Sequence, residues 1–126
     1  MKIETINPPR SNGDCYRTLE DFRIDGSAVG APDLHVREGF EFDGASVPRA
    51  FWLTTFPPGD TRVLEAACGH DFLYRRHPPC WTRRKADRWF LWKIRRDGVP
   101  LVHALRAYIG LRIGGFIAWR KGGRGK

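Results

Sequence analysis

A histidine and an aspartate stand side by side at His70 and Asp71, and a second aspartate follows at Asp87. Val63, Ala66, Ala67, His70 and Tyr74 recur at helical spacing, which places His70 on the apolar stripe of a helix. Ala86, Asp87, Phe90, Leu91 and Ile94 share one face of the next helix, so Asp87 also faces inward. The connection between the two is short, and the pair is expected to pack antiparallel. A carboxylate beside an imidazole fixes its tautomer, raises its basicity and stabilises the imidazolium formed when it takes a proton. His70 with Asp87 is therefore a candidate general-base dyad, and Tyr74 lies one turn from the histidine. The same residue types also build a satisfied polar pair in a core that has no catalytic duty.

Asp71 points about 100° further round the helix than His70 and cannot hold the same ring. It can face the loop Asp43–Pro48, whose sequence is DGASVP. A carboxylate together with carbonyls of a glycine-bearing loop makes a hard-oxygen site suited to calcium, with Asp71, Asp43 and Gly44 as its candidate contributors. Against this, Asp71 can serve as a brace to that loop and Asp43 as ordinary turn chemistry. Ser46 with His70 and Asp87 would give an acyl-transfer triad, but no nucleophile elbow surrounds it. A zinc site from Cys68, His70, His77 and Cys80 is disfavoured, because Cys68 and His70 diverge by about 200° on a helix.

The elements that must position these groups divide the chain in two. The first half reads as short strands, with apolar alternation within 16–24, at Leu34–Glu38 and at Phe40–Phe42. These are expected to form one small antiparallel sheet. The second half reads as helices. Pro57, Pro58 and Gly59 break the chain and Asp60 can cap the first helix, which ends at Pro78–Pro79. Thr82 can cap a second helix that Gly98 stops. Pro100 suits the first turn of a third, with a stripe of Leu101, Leu105, Tyr108 and Ile109. Gly114–Gly115 weakens it before Phe116. The expectation is an α+β fold in which a small antiparallel sheet packs on three helices. Residues 1–15 read as an N-terminal arm, 16–119 as a single domain, and 120–126 as a loose basic tail.

At 126 residues and 41% hydrophobic content, the chain has material for one core and is neither disordered nor fibrous. No run of about eighteen uncharged apolar residues suggests a membrane span, and the first residues do not read as a signal peptide. Three cysteines imply no disulfide framework, though Cys68 and Cys80 could pair outside a cell. The net charge is +8, and from Pro100 to Lys126 there are six basic residues and no acid. Arg112, Arg120, Lys121 and Arg124 are the candidates for contact with an anionic surface or partner. Nucleic-acid binding would rest on charge alone, without a stacking platform or recognition motif.

The run GFEFDGASVPRAFW, then AACGHDFLYRR, then RRKADRWF, and a last helix with IGGFIAW resembles a family of tailed phages and prophages, the domain of unknown function thirteen fifty-three. That resemblance spans about residues 16–119 and implies a phage setting, among structural or lysis genes, with no settled activity. A narrower resemblance covers only the two central helices. ACGHDFLY with the later Asp87 is similar to the catalytic helices of small secretory phospholipases A₂. It implies that His70 deprotonates water, Asp87 orients it, Tyr74 supports the aspartate and Asp71 ligates calcium. The chain departs from that pattern in its loop glycines, its missing disulfides and one residue fewer between Cys68 and His70.

Two expectations follow. One is a hydrolase acting on host envelope lipid or a related ester or amide, with its basic, aromatic C-terminal segment against an anionic membrane. The other is a non-enzymatic tail or tail-tip component whose partners are other virion proteins and whose His-Asp cluster is a brace. Either places the protein in the virion or the host cytoplasm.

Overall fold

The computed structural model describes residues 2–11, 14–42 and 61–124. Five short strands come first: β1 (Ile3–Thr5), β2 (Tyr16–Thr18), β3 (Phe22–Ile24), β4 (Leu34–Val36) and β5 (Glu41–Phe42). A single 3₁₀ turn, Ser27–Val29, separates β3 from β4. Four helices follow among the described residues: α1 (Thr61–Arg76), α2 (Arg83–Arg96), α3 (Leu101–Gly114) and the short α4 (Phe116–Arg124). The architecture is α+β, with antiparallel strands in the first half and three main helices in the second.

The strands form two sheets rather than one. β1, β2 and β5 make a three-stranded antiparallel sheet, and β3 pairs with β4 in a separate hairpin. The imperfect alternation within 16–24 marks the break, since Leu19 is exposed where a continuous strand would bury it. β1 comes from the segment read as an arm. Ile3 pairs with Thr18 and Thr5 with Tyr16, so this stretch is an edge strand of the sheet. Three residues of alternation are too few to register against a background of turns. Both sheets turn apolar side chains toward the helices: Phe42 from one, Ile24 and Val36 from the other, all buried.

Thr82 caps α2, its hydroxyl accepting from the backbone N–H of Lys85 at 3.2 Å. Gly98 ends the turn that follows with φ 103°, a conformation open to glycine. α1 and α2 pack closely because Gly69 has no side chain. A β-carbon there would overlap the indole of Trp89. Trp89 is itself buried, outside the face of Ala86, Asp87, Phe90, Leu91 and Ile94 that the spacing predicted, of which Leu91 is only half-buried.

On α3 the expected stripe faces the wrong way. Leu101, Leu105 and Ile109 are exposed, and the inward face is Ala104, Ala107, Gly110 and Leu111. Small residues let α3 lie close against its neighbours, and periodicity cannot choose between two apolar faces of one helix. The chain resumes helical structure at Phe116 and keeps it to Arg124, so much of the tail expected to be loose is part of α4.

Candidate functional site

His70 lies in the middle of α1 and is fully buried, as is Asp87 on α2. The imidazole Nε2 is 2.7 Å from Asp87 Oδ1. A carboxylate only accepts, so Nε2 carries the proton and donates. The other ring nitrogen, Nδ1, is buried and has no hydrogen-bond partner among the described residues. The ring lies against Tyr74, with centroids 4.1 Å apart, and edge-on to Phe90 at 5.4 Å. The two residues that the sequence singled out are thus joined, with aromatic packing around the imidazole.

Asp87, on α2, takes three donors from the two neighbouring helices. Besides His70, the Tyr74 hydroxyl donates to the same Oδ1 at 2.5 Å, and Arg112 Nη1 donates to Oδ2 at 2.8 Å. Burial pushes the carboxyl upward, but the donors from His70, Tyr74 and Arg112 outweigh it and hold Asp87 below the ordinary carboxylate range. The Tyr74 phenol moves the other way, raised by burial and by the neighbouring Asp87 charge. Tyr74 therefore stays protonated and donates. Its hydroxyl is boxed in by Gly115, where a β-carbon would come 2.7 Å from it.

Asp71 sits beside this cluster and does not join it. It forms an ion pair with Arg75 at 3.0 Å, one turn along α1. Arg75 also donates to both oxygens of buried Asp14, at 2.6 and 3.1 Å, and to the carbonyl of Glu41 at 3.1 Å. Arg75 thereby ties α1 to the three-stranded sheet. Of the calcium candidates, Asp71 has the Arg75 guanidinium beside it, where a divalent cation would need carboxylate oxygen. Asp43, Gly44 and Ser46 lie outside the described residues. Among the described residues, no group of three or more His, Cys, Asp or Glu side chains is arranged to hold a metal.

A search against family models matches residues 16–111 to Protein of unknown function (DUF1353). The chain belongs to this family. No curated protein and no solved structure matches it. The first of the two resemblances is thereby shown, and the phospholipase one is not. The DUF1353 segment contains His70, Asp71, Tyr74 and Asp87, whereas β1, Arg112 and α4 lie outside the matched span.

Arg112 is the site residue that sequence reasoning placed elsewhere. It was grouped with the surface-contact arginines, and the structure turns it inward onto Asp87. Its signal was an arginine near the C-terminal end of a largely apolar, acid-free helix, where an acid partner on another element is to be sought. Arg120 is exposed on α4, and the side chains of Lys121 and Arg124 lie outside the described residues. Arg83 closes the arrangement from below. Its Nη2 donates to the carbonyls of Leu111 and Arg112 at 2.8 and 2.7 Å, satisfying the C-terminal turn of α3 that presents Arg112. No disulfide joins Cys68 to Cys80; Cys68 is buried and Cys80 exposed.

Proposed function

We propose that this DUF1353 chain is a non-enzymatic structural protein, of the tail or tail-tip kind that the phage resemblance implies. In this reading the His70–Asp87–Tyr74–Arg112 cluster is a brace that locks its three helices. The observation that carries it is the arginine on each acid. Asp87 is neutralised by Arg112 and Asp71 is paired with Arg75. A dyad needs its aspartate available to stabilise a developing imidazolium, and a calcium site needs bare carboxylate. Both acids are already engaged. Complete burial of His70 and Asp87 points the same way. The test is a pair of measurements on His70→Ala. The substitution should lower thermal stability, and mass spectrometry should find the wild-type protein in purified particles. A protein absent from particles, with unchanged stability in the variant, would overturn this reading.

A hydrolase is the second reading, and one observation favours it. Nδ1 of His70 is buried with no partner among the described residues, while Nε2 is held by an aspartate. A buried polar atom without a partner calls for an explanation, and a catalytic role is one. In this reading Nδ1 takes a proton from water that attacks an envelope lipid ester. It requires the packing around the ring to open. Calcium-dependent hydrolysis lost in His70→Ala would support it.

A further inference from the structure

The outer face of α3 and α4 is apolar, large and uncovered. Val102 is 61% exposed, Leu105 40%, Ile109 51% and Ile113 69%, and on α4 Phe116 and Ile117 are 47% and 53% exposed. At about 100° per residue, the four α3 residues fall within roughly one quarter of the helix circumference. The core side of the same helix carries Ala104, Ala107 and Gly110. The bulky residues thus face out and most of the small ones face in, the reverse of an ordinary surface helix. Contiguous apolar patches of this kind mark an interaction site.

Charge selects the occupant. Arg106 stands at the edge of the apolar arc on α3 and Arg120 is exposed on α4. From Pro100 to Lys126 the chain carries six basic residues and no acid, and only Arg112 of them is turned inward onto Asp87 among the described side chains. A second copy of this chain would bring the same acid-free basic rim against itself, which repels. An anionic lipid surface meets both features at once. Acyl chains take the aliphatic stripe, and headgroup phosphates take the arginines at its border. We propose that the α3–α4 face docks on an anionic membrane surface, lying in the interface rather than crossing it. No described helix is long and apolar enough to span a bilayer. The inference is independent of whether His70 is a brace or a base.

The test uses the full-length protein with vesicles of mixed phosphatidylglycerol and phosphatidylcholine, and with vesicles of phosphatidylcholine alone, in a sedimentation assay. Binding is expected to the anionic vesicles and to be weak on the neutral ones. Ile109→Ser combined with Ile113→Ser, which leaves the charge unchanged, should lower anionic-vesicle affinity by about tenfold or more, from lost apolar burial. Both positions are exposed, and an unchanged melting temperature confirms that the fold survives. Arg106→Glu should weaken binding and reduce its salt sensitivity. Three results would overturn the proposal: no preference for anionic vesicles; binding unaffected by the double serine substitution, which would mean simple charge attraction; or a homodimer in sedimentation velocity that the same substitution dissolves.

Discussion

Arg112 Nη1 lies 2.8 Å from Asp87 Oδ2, on the carboxylate whose other oxygen holds His70. This contact brings α3 onto the pair that α1 and α2 form. It also changes what the pair can do. Without it, Asp87 would be a buried carboxylate held only by His70 and Tyr74. With it, the buried charge is balanced by an arginine whose side chain remains 30% exposed.

Breaking the pair from one side should be costly. Arg112→Gln leaves the Asp87 charge buried without its counter-ion, and Asp87→Asn leaves the guanidinium without its acid. Each is expected to destabilise by about 2–4 kcal/mol, below the full cost of a sealed pair because Arg112 is partly solvated. A double-mutant cycle in urea should give a coupling energy of about 1–3 kcal/mol. Additive single effects would show that the contact carries no net interaction.

Acid should weaken the fold through Asp87. Its carboxyl is held below the usual range in the folded chain, whereas in the unfolded chain it titrates at about 3.9. A folded value below the unfolded one contributes stability that is complete above about pH 4 and is lost as pH falls toward the folded value. Wild type should therefore lose stability more steeply than Asp87→Asn below about pH 4 in urea melts at stepped pH. Parallel slopes would contradict the assignment.

Tyr74 and the glycine above it offer a matched pair of substitutions. Tyr74→Phe removes one hydroxyl donor to a charged acceptor and should cost about 1–3 kcal/mol. Gly115→Ala leaves the donor but presses a methyl toward the Tyr74 hydroxyl and the Leu111 carbonyl, with an expected cost of about 1–3 kcal/mol from overpacking. Combining Gly115→Ala with Tyr74→Phe should cost less than the sum, since the smaller ring edge relieves the clash. Thermal melts of the three variants check this.

Cysteine reactivity should divide by burial. Burial pushes the Cys68 thiol up to about 12, so almost no thiolate is present at neutral pH. Iodoacetamide should label exposed Cys80 in the native protein and spare Cys68 until denaturant is added. Peptide mapping reads this directly, and native labelling of Cys68 would show that α1 opens locally.

The meeting of His70 and Asp87 was legible because two independent periodicities put each on an inward face and a short connection put the helices together. Tyr74 followed from the same stripe. The role of Arg112 was not legible, since a basic residue near a basic C terminus reads first as surface. The outward face of α3 was missed for a related reason. Both sides of that helix are apolar, and side-chain size, with alanine and glycine at Ala104, Ala107 and Gly110, was the cue that picks the packed side. Strand β1 and the split between sheets depend on pairing partners distant in sequence, which local alternation does not encode.

The central claim is that His70 holds the fold rather than turning over a substrate. The most direct measurement is calcium-dependent fatty-acid release from phosphatidylglycerol vesicles, run on wild type and His70→Ala beside their thermal melts. The brace predicts no release above background from either protein, and a variant less stable by about 2–4 kcal/mol. Release by the wild type that vanishes in a still-folded His70→Ala would contradict it.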